Sequence, residues 1–187
     1  MGMNLPMSSI PVNWIATNGP ELSKAPAWRG LIHENDVQRL LELRHYLDKA
    51  FSFDLAKNAA ISATNTRGKA FCATKAIDGD PETYWATDDE VLEASLELDF
   101  KKPVEVNAVL IQEFIPLGQR VKSFSIDAYF DNTCNRVAKG VTIGNRRIVK
   151  FETVNTRRLR INLEAKACPL IANIEVYRVP DIRDRGI

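Results

Sequence analysis

The residue types best suited to binding a cation are concentrated in one loop-like segment, KAIDGDPETYWAT, at residues 75–87. Asp78 begins an Asp-Gly turn, and the glycine tolerates the backbone conformation that bends carbonyl groups inward. A hard cation such as calcium takes roughly six to eight oxygen ligands from carboxylates, hydroxyls and carbonyls. The segment offers the carboxylate of Asp78, the hydroxyl and carbonyl of Thr83, and the carbonyls of Lys75 and Asp80. The alternative interpretation is a solvated loop of ordinary turn residues.

A second set of polar and aromatic residues is suited to sugar recognition. Sugar sites on sheet proteins combine an aromatic face with side chains that bond to hydroxyl groups. The main candidates are Arg67, Phe71, Gln119 and Arg120, and further loop candidates are Asp88, Asp89, Asn145 and Arg146. Arg120 follows a Pro-x-Gly turn, and its guanidinium can bond two vicinal hydroxyls or a carboxylate. The alternatives are an interdomain ion pair or a solvated turn for Arg120, and a core or interface position for Phe71.

Residues for nucleophilic catalysis are not arranged in a recognisable motif. His33 and His45 are the two histidines, and their spacing is poor for a metal site, so both are interpreted as structural. Cys72, Cys134 and Cys168 form no CxxC pattern and are expected to be buried or half-buried free thiols, although one disulfide between two of them stays open.

The composition indicates a folded protein with no electrostatic preference for nucleic acid or membranes. The chain has 187 residues, a hydrophobic fraction of 45% and a net charge of +1. No apolar run approaches the roughly 20 residues that span a bilayer. The N-terminus lacks a basic start followed by an apolar core, so no signal peptide is predicted.

The sequence pattern divides the chain into three regions. Residues 1–30 are rich in proline and are expected to be irregular. Apolar residues at helical spacing predict an amphipathic helix at residues 33–50, capped by Asn35 or Asp36, within a region that extends from residue 31 to residue 57. Residues 58–187 are assigned to a β domain with a short C-terminal tail.

Short runs with a period of two predict six strands in the β domain. They are Ala94–Phe100, Val104–Phe114, Lys122–Phe130, Arg146–Phe151, Thr156–Leu163 and Leu170–Val179, with turns at Lys101-Lys102-Pro103 and Asp131-Asn132 among others. Because no helix separates these strands, the pattern predicts a mainly β fold, either a sandwich or a barrel.

The pattern D-G-x-x-x-T-x-W from Asp78 to Trp85, together with the final strand IANIEVYRV, resembles the discoidin domains, also called the coagulation factor five/eight type C or galactose-binding-like fold. The resemblance covers roughly residues 58–179. It implies an antiparallel β-sandwich and places Trp85 in the core. It also implies a structural calcium ion, with Glu175 as a distant second carboxylate beside the loop ligands.

A second resemblance is to the C-terminal part of retaining α-L-fucosidases. It rests on residues 30–50, which resemble the last helix of the catalytic barrel, and on Ile111–Phe124, Lys139–Phe151 and Lys166–Tyr177. It implies an accessory module for glycans that bear galactose or fucose, a catalytic barrel domain as partner, and a periplasmic or extracellular location. The alternative is a structural module that buttresses the barrel and binds no sugar.

The same resemblance implies that this chain is not catalytic on its own. Retaining glycosidases use two carboxylates on a barrel of about 250 residues. About 30 residues precede the helix, so neither catalytic carboxylate can be assigned and no hydrolase activity is expected.

Overall fold

The computed structural model describes residues 32–130 and 133–180, which belong to two compact units. One unit contains the helix α1, Glu34–Ala50. The other spans residues 53–179 and contains every strand of the described residues. The predicted irregular segment at residues 1–30, the predicted turn at Asp131-Asn132 and the tail after residue 180 lie outside the described residues.

Helix α1 confirms the predicted helix but begins with a different cap. The backbone N–H of Asn35 donates to Nδ1 of His33 at 3.2 Å, so His33 is the N-cap and the prediction of Asn35 or Asp36 is wrong. Asp36 lies instead within the first turn, where its negative charge interacts favourably with the helix dipole. Leu40, Leu43 and Leu47, at helical spacing along α1, are half-buried.

Seven strands form the β unit, in chain order β1 to β7. They are Ala60–Ala63, Trp85–Ala86, Glu93–Glu113, Val121–Phe130, Thr133–Val141, Arg147–Ala165 and Leu170–Tyr177. All pairings are antiparallel, in the order β2-β7-β3-β6-β4-β5, with β1 also paired to β3.

The long strands β3 and β6 pass through both layers of a sandwich. The first half of β3 pairs with β1 and with the second half of β6, and β4 and β5 extend this layer. The second half of β3 pairs with β7 and the first half of β6. Side chains from both layers meet in one buried cluster that includes Leu96, Ile126, Ile161, Val109 and Ile174. The predicted antiparallel β-sandwich is therefore confirmed.

Two predicted interruptions are bends within continuous strands. The strands predicted at Ala94–Phe100 and Val104–Phe114 together form β3, and those at Arg146–Phe151 and Thr156–Leu163 form β6. The register between β3 and β6 shifts between Asp99 and Val104, where Lys101 has a φ of 65°. A bulge of this kind bends a strand and accommodates proline without ending it, which is why the turn prediction at Lys101-Lys102-Pro103 is wrong.

Strand β5 was not predicted because its sequence, TCNRVAKGV, lacks apolar alternation. It lies at the edge of the sheet and pairs only with β4. Its Arg136 and Lys139 are exposed, and charged residues are common on edge strands because they oppose pairing with other chains.

The three cysteines are free thiols, so the disulfide that the sequence left open is not formed. Cys168 is buried and Cys72 is half-buried, as expected, whereas Cys134 is exposed on β5. Within residues 32–130 and 133–180, no helix combines the length and the apolar character needed to cross a bilayer.

Candidate functional site

The loop at residues 75–83 gathers the oxygen atoms that the sequence assigned to a cation site. Gly79 has a φ of 77°, which confirms the positive φ expected of the Asp-Gly turn. The Thr83 hydroxyl donates to the Asp78 carboxylate at 2.8 Å and lies 3.3 Å from the Asp80 carbonyl oxygen. The backbone N–H of Asp80 also donates to Asp78 at 3.0 Å. A carboxylate, a hydroxyl and a carbonyl are thus mutually close.

A positive charge already neighbours this carboxylate. Nζ of Lys75 lies 3.3 Å from Oδ2 of Asp78. Partial burial raises the pKa of Asp78, but the hydrogen bonds from Asp80, Thr83 and Lys75 outweigh it and hold that pKa below its ordinary value. The ionised form of Asp78 is therefore the favoured one, as a cation ligand requires.

Glu175, the predicted distant ligand, lies on β7 and has its own hydrogen bonds. Its carboxylate accepts from Nδ2 of Asn173 at 2.7 Å and from the hydroxyl of Tyr177 at 2.6 Å. Within the described residues, no group of three or more Asp, Glu, His or Cys side chains is placed to hold a metal. The chemistry of the loop oxygens fits calcium, but any such site would depend largely on carbonyl and hydroxyl oxygens.

Trp85 links the cation loop to the sandwich. Its side chain is fully buried, and its Nε1 donates to the carbonyl of Asn65 at 3.1 Å. Strand β2, which contains Trp85, pairs with the start of β7 at Ile171. The expected core position of Trp85 is confirmed, and this indole is not available for stacking on a sugar.

Two of the candidate arginines, Arg67 and Arg120, converge on one buried thiol. Nη1 of Arg120 lies 2.7 Å from Sγ of Cys168, and Nη2 of Arg67 lies 3.1 Å from the same sulfur. Arg67 also forms an ion pair with the exposed Asp89 and donates from Nε to the carbonyl of Thr87 at 3.1 Å. These residues come from four loops, which meet at the same end of the sandwich.

A row of half-buried aromatic rings lies beside this arginine pair. The ring centroid of Tyr84 is 5.1 Å from that of Phe71 and 4.2 Å from that of Phe114, and Tyr84 and Phe114 are stacked. All three rings pack against the small buried cluster that contains Cys168. Phe71 therefore packs against the same small cluster that Arg67 and Arg120 contact through Cys168. We call Arg67, Arg120, Asp89 and the three rings the loop cluster.

Glu113 holds the backbone of the loop cluster in place. Its side chain is 1% exposed, and its carboxylate accepts from the backbone N–H groups of Arg120, Val121 and Gly144 at 2.8, 2.9 and 2.8 Å. A buried carboxylate is stabilised by such charge-assisted bonds. The ends of two loops are thereby fixed to the end of β3. Gln119, also proposed as a ligand, is exposed in the same loop as Arg120.

Sequence reasoning missed Tyr84, Phe114, Cys168 and Glu113. Tyr84 precedes the core residue Trp85, and alternation along an extended segment places neighbouring side chains on opposite sides. Phe114 was interpreted only as the end of a strand, and Cys168 as an isolated thiol. The proximity of these residues depends on strand pairing between distant segments, which no local pattern contains.

The sequence profile of the F5/8 type C domain matches residues 59–174, and the chain belongs to this family. Alpha-L-fucosidase 1 of Arabidopsis thaliana is 31% identical over 163 residues, covering 83% of this chain and 32% of that protein. A putative alpha-L-fucosidase from Bacteroides thetaiotaomicron has a crystal structure that superposes with a TM-score of 0.77 at 30% identity, covering 81% of this chain and 34% of the other.

The predicted resemblance to the C-terminal module of α-L-fucosidases is thus confirmed. The chain spans about a third of the length of the curated relatives that it matches. Chitosan-binding module 1 from a Paenibacillus chitosanase/glucanase shares the fold, with a TM-score of 0.61 and 21% identity over 67% of this chain and 98% of that one.

Proposed function

We propose that this chain is a carbohydrate-binding accessory module of an α-L-fucosidase-type glycoside hydrolase, and that it binds glycans bearing galactose or fucose. The observation that carries the proposal is the convergence of Arg67 and Arg120 beside the stacked rings of Tyr84 and Phe114. A pyranose presents an apolar C–H face and a hydroxyl edge. The loop cluster offers aromatic surface to the face and guanidinium donors to the edge.

Asp89 complements the arginines in this proposal. Its side chain is 84% exposed although it forms an ion pair with Arg67, so its carboxylate can accept hydrogen bonds from sugar hydroxyls. Arg67 is oriented by the carbonyl of Thr87, and Arg120 by the carbonyls of Cys168 and Leu117. These contacts immobilise both side chains before a ligand arrives, which lowers the entropic cost of binding.

We further propose that the hydrolytic reaction belongs to a barrel domain and that this chain contributes no catalytic residue. Retention requires two carboxylates about 5–5.5 Å apart on either side of the scissile bond. The proposal is supported by the match of residues 59–174 to an F5/8 type C domain. We propose a periplasmic or extracellular location, since the glycans of this proposal are found there.

A purely structural role beside the barrel is the second candidate. The match to the Arabidopsis fucosidase extends over 163 residues, which is longer than the F5/8 type C match at 59–174. The similarity to the fucosidase therefore extends beyond the F5/8 type C domain. This favours a role in which the chain contacts the remaining domains of such an enzyme.

A glycan array probed with the purified chain in calcium-containing buffer tests the two candidates. Binding to a coherent set of galactosylated or fucosylated glycans, reduced by Arg120→Lys and Tyr84→Leu, supports the sugar-binding function. Arg157→Lys is the matched control, because Arg157 forms an exposed ion pair with Asp99 outside the loop cluster. No binding by folded protein favours the structural role. Release of fucose from an aryl fucoside by the pure chain contradicts the non-catalytic assignment.

We also propose that the loop at residues 75–83 binds a structural calcium ion. The proposed ligands are the carbonyls of Lys75 and Asp80, the carboxylate of Asp78, Thr83 and the carboxylate of Glu175. The mutual approach of the Asp78, Asp80 and Thr83 oxygens supports this. Bound calcium would stabilise the loop against the sandwich by mass action.

Thermal unfolding with calcium and with a chelator tests the calcium proposal. We expect the chelator to lower the Tm of the wild type but not that of Glu175→Gln. Glu152→Gln, which replaces an exposed glutamate on β6, should retain the chelator response of the wild type. An identical wild-type Tm in calcium and in chelator would exclude the ion.

A further inference from the structure

The outer face of the first sheet layer contains a row of polar side chains, one on each of four adjacent strands. Ser95 on β3 is opposite Asn162 on β6, Asn162 is opposite Ser125 on β4, and Ser125 is opposite Lys139 on β5. Directly paired residues on antiparallel strands share a face. With strands about 4.8 Å apart, the row extends over about 14 Å. We call it the transverse row.

A groove of about 1050 Å³ lies over the transverse row. All four residues of the row line it, together with Thr64, Ser123 and Glu164. Volumes of several hundred cubic ångströms are typical of sites for small organic ligands. The hydroxyl and amide groups along the row offer hydrogen bonds within a lining that also includes apolar surface, and a sugar, with its hydroxyl groups and C–H faces, matches both.

Hydrogen-bonding capacity remains along the row. Nδ2 of Asn162 donates to Oγ of Ser125 at 3.1 Å and to Oδ2 of Asp127 at 2.6 Å. The Asn162 carbonyl oxygen, the Ser125 hydroxyl proton and the Ser95 hydroxyl have no hydrogen-bond partner among the described residues. These groups can accept from and donate to a bound sugar.

The charges that flank the row are largely neutralised within the sheet. On one side, Arg136 pairs with Asp127 at 3.0 Å. On the other, Glu164 pairs with Lys122 at 2.6 Å and accepts from Ser123 at 2.6 Å. These pairs leave the middle of the groove with little net charge, whereas Glu93, at the β3 end, has no ion pair among the described residues.

The β5 end of the groove is different, because two cations there lack a carboxylate partner in the described part of the chain. Lys139 is exposed and forms no ion pair among these residues. Arg147 donates to the carbonyl oxygens of Val141 and Thr142, and its guanidinium carbon lies 5.3 Å from the ring centroid of Phe124. Lys139 shares the face of Ser125, whereas Arg147 lies over Phe124 of the core face, so Lys139 is the cation that favours an anionic group above the row.

We propose that this groove is a second carbohydrate site, which binds a short acidic oligosaccharide. The hydroxyl groups of the ligand bond to Ser95, Asn162 and Ser125, and a carboxylate or sulfate group binds at Lys139. The groove lies on a sheet face and the loop cluster lies on the loops at one end, and the two share no residue. The second site therefore does not depend on the proposed function of the loop cluster.

Isothermal titration of the full chain with trigalacturonate and with its methyl ester tests the second site. We expect the acid to bind, and the neutral ester to bind more weakly. Lys139→Gln should weaken binding of the acid about tenfold, since it removes a charge-assisted contact. Asn162→Ala should weaken binding of both ligands. Lys139→Gln should have the same effect in an Arg120→Lys background, because the two sites share no residue, so binding at the groove is distinguishable from binding at the loop cluster.

Lys150→Gln is the matched control, because Lys150 is exposed on β6 outside the groove. An equal effect of Lys139→Gln and Lys150→Gln would show nonspecific attraction and overturn the proposal. Failure of the chain to bind either saccharide would do the same. Loss of binding only in Arg120→Lys would assign the ligand to the loop cluster and contradict the proposal. Burial of the groove against a fucosidase barrel domain would show that it is a protein interface and would also contradict the proposal.

Discussion

Glu113 shows how one residue connects stability to the loop cluster. Its carboxylate accepts hydrogen bonds from three backbone N–H groups of two loops, including that of Arg120, at donor–acceptor distances of 2.8 to 2.9 Å. The side chain is almost completely buried, so water cannot replace the carboxylate if it is removed. The position of Arg120 thus depends on a buried residue that is not itself a member of the loop cluster.

We expect Glu113→Ala to lower the free energy of unfolding by about 3 kcal/mol, because buried amide donors lose their acceptor. Glu113→Gln, which keeps one acceptor oxygen, should lie between this variant and the wild type. Urea unfolding measures the difference, and Glu152→Ala should stay within about 0.5 kcal/mol of the wild type. An unchanged unfolding midpoint for Glu113→Ala would show that the three bonds are not formed in solution.

Asp54 gives a prediction about pH. Burial raises the pKa of Asp54; hydrogen bonds from Val176 and Ala56 oppose the shift, and the charge of Glu175 adds to it. With a folded-state pKa above the unfolded one, ionised Asp54 lowers stability at neutral pH, and this penalty disappears as the pH falls through the folded pKa towards the unfolded value. The substitution Asp54→Asn keeps an acceptor oxygen at this position and removes the charge.

We therefore expect Asp54→Asn to be more stable than the wild type at pH 7, with an advantage that decreases on acidification. Thermal unfolding of both proteins between pH 7 and pH 4 measures this difference. A constant difference over that range, or a variant less stable than the wild type at pH 7, would contradict the assigned shift.

At the scale of elements, local patterns predicted helix α1, the Asp-Gly turn and most strand segments. They failed where the pairing partner decides the outcome. Strand β3 continues through Pro103 because β6 pairs with it on both sides of the bulge. Strand β5 forms from a polar sequence because its backbone pairs with that of β4. Neither interaction is visible in a window of ten residues.

Strand β5 also contains a glycine that its packing requires. A Cβ atom on Gly140 would lie 2.7 Å from Cζ of Phe124, a buried ring of the core. We expect Gly140→Ala to destabilise the protein by about 1–3 kcal/mol, because the ring must move within a packed interior. Asn135→Ala, at an exposed position of the same strand, is the control. Urea midpoints compare the two, and equal midpoints would show that Phe124 moves aside without cost.

At the scale of the whole molecule, the sequence identified some members of the loop cluster but not their arrangement. Arg67, Phe71 and Arg120 are candidates from sequence because their residue types suit sugar binding and they lie between predicted strands. Their proximity arises because β3, β4, β6 and β7 end or begin at one edge of the sandwich, where Cys168 joins the two arginines. Residue type therefore predicted candidates, and the topology determined which of them lie together.

Sugar binding by the loop cluster can be observed residue by residue in an NMR titration of the isotopically labelled full chain. The titrants are galactose-terminated and fucose-terminated oligosaccharides in calcium-containing buffer. We predict saturable shifts of the backbone amide signals of Arg67, Tyr84 and Arg120, with the signals of Arg157 and Glu152 unchanged. Shifts confined to other surfaces, or no shifts with either sugar at millimolar concentration, would contradict sugar binding by the loop cluster.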